Sequence, residues 1–511
     1  MDAATWRSQP VWLYTTAVAV ILILNWLRVV LFDPLRRIPG PFLARFTRLW
    51  QFQEIYKGDF HKTNIALHKK YGPIVRIAPR NYSIDNPQAA KTIYGHGNQF
   101  PKVFAFSAWT KRGDWYQAWG HPQITNLFNE QNQQQHAEDR RKVANAYSMT
   151  SLVSYEPYVN ESTALLAQRL SEFAKAGLPM DLGYWLHCYA FDMIGFITFG
   201  QRFGFLDAGE DMNSLIKSGD AGATMSTLLG VLPEWFPLAF KFRGIWNEFK
   251  KAQGGGGLGF LTLYALKQIE IFKKKPKVAQ ETESFIVRFL RLQEERPESM
   301  TDRGVLLGVA ANIAAGADTT SSTLSAIVYN LCRNPEMLKK LREELDQGVK
   351  SGRVSDPISF REAQDLPYLQ AVIKEGLRFH PATGLPMSRI VPKGGQTIAG
   401  AWFPEGSTVG INSWVAHHNT DVYGPDADQF RPERWLEGNA TKEMDAYFFS
   451  FGQGSRTCLG KNVSLLEISK GIPQLVRQFD FSVVSDDEWT CKNSWFVRPV
   501  DFRCTVAPRR C

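Results

Sequence analysis

Ten residues near the C-terminus, Phe451-Gly452-Gln453-Gly454-Ser455-Arg456-Thr457-Cys458-Leu459-Gly460, place a thiol just ahead of a stretch, Lys461 to Phe479, whose apolar residues recur with a helical period. A cysteine at a helix N-terminus meets the positive end of the helix dipole and free backbone N–H groups, and both favour its thiolate. Gly452, Gly454 and Gly460 permit the backbone to come close to a flat ligand, and Arg456 can meet an anionic group on it. The other cysteines, Cys188, Cys332, Cys491, Cys504 and Cys511, are scattered, with no CxxC pair and no zinc-ligand spacing. They read as small buried hydrophobes. On residues alone, Cys458 is either a ligand-binding thiolate or a buried cysteine beside a glycine-rich turn.

A second segment, Ala315-Gly316-Ala317-Asp318-Thr319-Thr320, lies in the middle of a helical run from Thr301 to Cys332. Ala315 and Thr319 are one turn apart and share a face. Small side chains at Ala315 and Gly316 let that face lie over a planar group, and the Thr319 hydroxyl can bond the Ala315 carbonyl, opening the helix locally to oxygen or water. A small-residue packing patch is the competing reading. Glu375 and Arg378, at i and i+3 on another helix, can pair, although most such pairs decorate surfaces.

The elements that must position these groups are mainly helical. Amphipathic runs cover His61 to Tyr71, Gln135 to Ala146, Tyr158 to Ala176, Thr301 to Cys332, Pro335 to Lys350 and Tyr368 to Phe379. Strand-like pieces fall at Ile74 to Ile77, Ser388 to Ile390, Gln396 to Ile398 and Thr408 to Ile411. There is no βαβ alternation and no dinucleotide-type glycine loop, so the expected class is mainly α with small β-sheets. Gly254 to Gly257 reads as a flexible loop within one large domain.

From Val11 to Leu27 the chain is uncharged and mostly apolar, continuing past Arg28 to Phe32, with Trp12, Tyr14 and Trp26 near the ends. That pattern predicts a single retained transmembrane helix. Arg28, Arg36, Arg37, Arg45 and Arg48 follow it, whereas Asp2 opposes Arg7 ahead of it, so the body is expected to face the cytosol. The matches to a glycosylation acceptor at Asn81, Asn160, Asn439 and Asn462 would then stay unmodified. The expected division is an anchor at 1–33, a stiff proline-containing hinge at 34–48 and a catalytic domain at 49–511. The 59 basic and 50 acidic side chains give +9 but are interspersed, which argues against nucleic acid and for a lipid surface or an acidic protein partner.

The segment from Phe451 to Gly460 matches position for position the haem-binding signature FxxGxRxCxG of the cytochrome P-450 superfamily. The chain resembles that family, and over nearly its full length it looks most like fungal microsomal members of the pisatin demethylase type. The resemblance implies a cytochrome P-450 fold, haem b with Cys458 as axial iron ligand, and Phe451, Arg456 and Gly460 against the haem. It implies that Ala315 lies over the haem and that Asp318 and Thr319 relay protons to bound oxygen. Phe430-Arg431-Pro432-Glu433-Arg434-Trp435 resembles a further family segment, from which a structural triad of Glu375, Arg378 and Arg434 follows. The family's propionate-binding WxxxR pair corresponds to His136 and Arg140, tryptophan being replaced by histidine, and Arg389 stands where many relatives bind a propionate.

The same resemblance implies a monooxygenase that inserts one atom of O2 into a small lipophilic metabolite by hydroxylation, demethylation or epoxidation, in fungal secondary metabolism. Electrons would come from NADPH through a separate reductase, with cytochrome b5 as a further partner, at the endoplasmic reticulum membrane. Its pocket would be lined by the aromatic loop containing Phe104, Phe106, Trp109, Trp115, Tyr116 and Trp119 and by the turn Ala382 to Met387. Leu228 to Phe242 would dip into membrane lipid. Two alternatives share the cysteine: a haem-thiolate isomerase, dehydratase or lyase that needs no O2, and a non-catalytic haem-binding protein. The first usually departs from the acid–alcohol pair, which is intact here.

Overall fold

The computed structural model describes residues 11–98, 100–102, 115–119, 126–233, 258–274, 282–436, 438, 440–484 and 489–510. Phe104, Phe106 and Trp109, the 234–242 part of the bilayer segment, the Gly254 to Gly257 loop, Asn439, Cys511, and Asp2 and Arg7 lie outside the described residues.

Fourteen helices carry the argument: α1 (Val11–Phe32), α2 (Leu49–Lys57), α3 (Phe60–Tyr71), α4 (Pro87–Tyr94), α5 (Gln133–Ala144), α6 (Glu156–Ala176), α7 (Leu182–Phe199), α8 (Leu215–Val231), α9 (Leu258–Lys274), α10 (Phe285–Glu295), α11 (Asp302–Arg333), α12 (Pro335–Lys350), α13 (Pro367–Phe379) and α14 (Lys461–Gln478). Their ends follow local chemistry. The Thr301 side chain accepts the Gly304 N–H at the start of α11, and Asn334-Pro335 separates α11 from α12, because proline disfavours a helical residue before it.

A four-stranded sheet has the order β1 (Ile74–Ala78), β2 (Asn81–Ile84), β7 (Thr408–Gly410), β4 (Arg389–Ile390), parallel only between β2 and β7. Three smaller ladders complete the β-structure. They are β5 (Gln396–Ile398) with β6 (Ala401–Phe403), β9 (Thr490–Ser494) with β10 (Phe496–Val500), and β3 (Met180–Asp181) with β11 (Arg503–Pro508) and β8 (Phe479–Val483). The mainly α class with small sheets is therefore observed.

The core centres on α7 and α11. Fifteen of the eighteen residues of α7 are buried, and α11 is buried on all sides from Thr320 to Leu331. The two helices run antiparallel. His187 meets Asp318, Ile194 fills the space beside Gly316, and Thr198 accepts from Asn312 Nδ2 at 3.2 Å. A Cβ on Gly316 would come within 2.8 Å of Ile194, so this glycine serves helix packing and not, as its sequence suggested, a planar ligand.

The segment after α1 is tied to β1. Arg76, 1% exposed, pairs with Asp33 at 2.7 Å and donates to the Leu35 carbonyl, while its own N–H donates to the Pro39 carbonyl. Leu35 and Ile38 are buried. Among the described residues, no helix is long and apolar enough to cross a membrane.

Candidate haem and oxygen-activation site

Cys458 sits on a loop closed by its own N–H donating to the Phe451 carbonyl at 2.7 Å, three residues before α14 begins. Gly452 and Gly454 turn this loop with φ of 66° and 65°. A Cβ at Gly454 would strike the Tyr94 carbonyl, so this glycine admits the end of α4 and not a ligand, contrary to its sequence reading. Around Gly460 the Cys458 sulfur is the nearest foreign atom, at 4.0 Å from a would-be Cβ, which leaves room beside the thiol. Cys458 is exposed although protein encloses it, so it faces an interior space. Burial raises its pKa, opposed by the N–H groups of Gly460 and Lys461 and by Arg140.

On α11, Ala311 and Ala315 are exposed while Asn312, Ile313 and Ala317 between and beyond them are buried, and with the half-buried Thr319 they form an open stripe at one-turn spacing. The Thr319 hydroxyl donates to the Ala315 carbonyl at 2.9 Å. One residue on, Thr320 Oγ1 meets Ser464 Oγ at 3.2 Å, tying this turn of α11 to the first turn of α14. Burial would raise the pKa of Asp318, but Arg498 and His187 together hold its carboxyl below the usual range.

The expected cations gather near the cysteine loop. Arg140 on α5 donates to the Thr457 carbonyl at 2.8 Å, Arg456 to the Glu130 carbonyl at 2.5 Å, and Arg389 on β4 to the Ser388 carbonyl at 2.8 Å and the Tyr116 hydroxyl at 3.2 Å. None of the three pairs with a carboxylate among the described residues. Burial and the neighbouring Arg389 lower Arg456 to about 10. His136 is buried, and burial with Arg456, Lys102 and Arg140 nearby lowers it to about 3, so it is a neutral ring in a positive field. A cavity of about 530 Å3 opens beside His136, Arg140, Arg141 and Arg456.

Uncompensated buried charge is costly, and Arg140 and Arg456 on this cavity, with Arg389 close enough to act on Arg456, call for an anionic ligand. An enclosed thiol, an open small-residue stripe and this surplus positive charge together fit haem b, a flat ligand with an iron atom and two carboxylates.

Glu375 and Arg378 are fully buried, unlike most helical pairs at this spacing. Arg378 Nη2 and Nε donate to the two carboxylate oxygens at 2.8 and 2.9 Å, and Arg434 Nε donates to Oε1 at 3.0 Å. Arg378 also donates to the carbonyls of His417, Ala427 and Gln429.

The two expected pocket regions come together. Trp115, Trp119, Phe128, Leu385 and Trp495 share one apolar cluster, with the Trp115 and Trp495 rings 4.6 Å apart and Gly384 N–H donating to the Trp495 carbonyl. Val231 and Leu228 of α8 close it.

Sequence reasoning missed three groups here. Lys102, 5% exposed, lies 4.1 Å over the Tyr116 ring beside the cation cluster. His187 and Arg498 contact Asp318 from far along the chain, and no local pattern signals either.

The chain belongs to the cytochrome P450 family, whose family model matches residues 38–501. It is a haem-dependent monooxygenase of fungal secondary metabolism, using haem b and NADPH-derived electrons to oxygenate a small molecule with O2. Among its relatives, pisatin demethylase of Fusarium vanettenii is 40% identical over 94% of this chain and 90% of its own length. A cytochrome P450 monooxygenase of Aspergillus terreus is 36% identical over 88% and 90%, and one of Emericella nidulans 34% over 93% and 94%.

Proposed function

We propose that Cys458 ligates the haem iron and that Arg140, Arg389 and Arg456 hold the propionates, with the His136 ring beside them and Phe451, Gly460 and Ala315 against the macrocycle. The observation that carries this is the enclosed, accessible thiol beside three guanidinium groups that lack carboxylate partners. Bound haem supplies oxygen activation, the thiolate favouring O–O cleavage. The protein's own work is protonic and steric. Thr319 holds a hydroxyl proton on the open stripe of α11, Asp318 brings protons to it, and Glu375, Arg378 and Arg434 fix the backbone around the cysteine loop.

The substrate is a small lipophilic aromatic molecule and the reaction a demethylation or hydroxylation. The aromatic wall of Trp115, Trp119 and Trp495 suits stacking on a flat ring, and a demethylase is among the relatives.

The membrane reading rests on α1. Val11 to Leu27 is uncharged and mostly apolar in sequence, and Val20, Ile21, Leu24 and Leu31 of α1 are exposed. In this reading 1–33 anchors the chain in endoplasmic reticulum lipid, 34–48 sets the bend and 49–511 catalyses on the cytosolic side, fed by NADPH-cytochrome P450 reductase, with cytochrome b5 as second donor.

The test is spectral. Dithionite-reduced membranes carrying the chain give the thiolate-type carbon monoxide band, and Cys458→Ala abolishes it. A normal spectrum in Cys458→Ala defeats the assignment, and product formation without NADPH or O2 would favour the isomerase or lyase alternative.

A further inference from the structure

Asp318 is held from two sides. Its Oδ1 lies 2.7 Å from His187 Nε2 on α7 and 3.5 Å from Arg498 Nη1 on β10, and Arg498 also pairs with Asp220 on α8. Oδ2 has no hydrogen-bond partner among the described residues. The His187 ring leans on Phe191, 5.0 Å away, and its side chain is 10% exposed, so a narrow part of it stays within reach of water. The antiparallel contacts of α7 with α11 at Ile194 and Thr198 fix the height of that ring against Asp318.

A carboxyl facing an arginine is ionised at neutral pH and stores no proton of its own. A relay through Asp318 therefore needs a donor within hydrogen-bond reach that is charged part of the time near neutrality, and imidazole is the side chain of that kind. Of the groups facing Asp318, Arg498 gives up no proton at these pH values. Asp220 is engaged with Arg498. His187 remains.

We propose that His187 supplies the protons that Asp318 passes on during oxygen activation, with Arg498 holding the carboxylate in place between transfers; this rests on Asp318 being the relay acid. In each transfer the His187 Nε2–H bond breaks and an O–H bond forms on Asp318 Oδ1, leaving a neutral imidazole and a neutral acid. Asp318 then gives its proton to water beside the Thr319 hydroxyl and returns to a carboxylate. The imidazole is recharged by a proton from solvent.

The test uses the haem-loaded full chain and its His187→Gln, His187→Ala and Asp318→Asn variants. Glutamine keeps a donor toward Asp318 but cannot carry a proton across. The C–O stretching band of the ferrous carbon monoxide form, which needs no substrate, is recorded between about pH 5 and pH 8. The parent band changes across this range, and the change disappears in His187→Gln. With NADPH, reductase and 7-methoxycoumarin as probe, His187→Gln raises the share of NADPH ending as hydrogen peroxide several-fold and enlarges the solvent deuterium isotope effect. His187→Ala follows His187→Gln in both readouts. If Asp318→Asn alters both readouts while His187→Gln follows the parent, His187 is only a hydrogen-bond donor and the proposal falls. If Asp318→Asn also follows the parent, the relay role of Asp318 falls first.

Discussion

Glu375 and Arg378 stand one turn apart on α13 with neither side chain exposed, and the carboxylate accepts five hydrogen bonds, from Arg378 twice, Arg434, Trp435 and the Arg431 N–H. This carboxylate is the meeting point of α13 and the Phe430–Trp435 segment. Removing one member of a buried pair strands the other, at about 3–5 kcal/mol. Total stability is commonly only about 5–15 kcal/mol, so Glu375→Ala should leave little folded protein. The measure is the yield of haem-loaded chain from membranes, which falls near zero, whereas substitution of the exposed Glu172 leaves it unchanged.

Arg456 tests the cation cluster in a different way. Its guanidinium is half-buried against Arg389 without a carboxylate partner, so a bound anion relieves both. A hydrogen bond to a charged group contributes about 1.5–3 kcal/mol, so Arg456→Gln should speed haem loss to an acceptor globin by roughly ten- to a hundredfold. The apo form, freed of one repulsive charge, should be no less stable to urea than the parent apo form.

Thr319 separates oxygen chemistry from binding. Its hydroxyl bonds the Ala315 carbonyl, so Thr319→Ala removes a proton-bearing group and leaves α11 intact. Product formed per NADPH should fall by up to about 10²-fold while the spectral binding constant for the probe hardly moves, and Thr319→Ser should recover most of the coupling. Equal losses in binding and turnover would contradict the role.

Histidines that burial keeps neutral set the acid limit, among them His136, His417 and four others. Burial lowers His61 to about 3 and His68, His380 and His418 to about 4, each below an unfolded value near 6.5. Between those values the unfolded chain binds more protons, so their contribution is complete above about pH 6.5 and is lost as pH falls toward 4. The thermal midpoint should drop steadily from about pH 7 to about pH 5. Both ring nitrogens of His61 lack a partner and the ring packs 4.4 Å from Trp414. His61→Phe should therefore flatten the acid slope without lowering the midpoint at neutral pH.

Much of this arrangement was legible in the sequence because it is local. The ends of α12, α13 and α14 fall within a residue or so of their periodic patterns, and the Cys458, Thr319 and Glu375 motifs lie where those patterns place them. Helix α7 left no mark, since a helix buried all round has no polar face and thus no period. Strands β9, β10 and β11 carry Lys492, Pro499 and Pro508 among their apolar residues, which blurs any strand pattern. Gly316 and Gly454 were misread because a glycine's neighbour is chosen by tertiary packing, Ile194 in one case and the Tyr94 carbonyl in the other. His187 and Arg498 lie 131 and 180 residues from Asp318, so only folding brings them to it.

Glu467, on α14 three residues beyond Ser464, is 1% exposed, and its Oε2 has no partner. Burial drives its pKa well above the ordinary carboxyl value and favours the protonated acid. A raised acid binds more protons folded than unfolded, so its stabilising effect is complete below about pH 4.3 and declines as pH rises through the folded value. Glutamine mimics the protonated acid in shape and polarity. Glu467→Gln should leave the urea midpoint at neutral pH equal or higher and remove part of the decline on the alkaline side. A variant less stable at pH 7 and steeper above it would mean that the carboxyl is charged in the folded chain and that a cation reaches it.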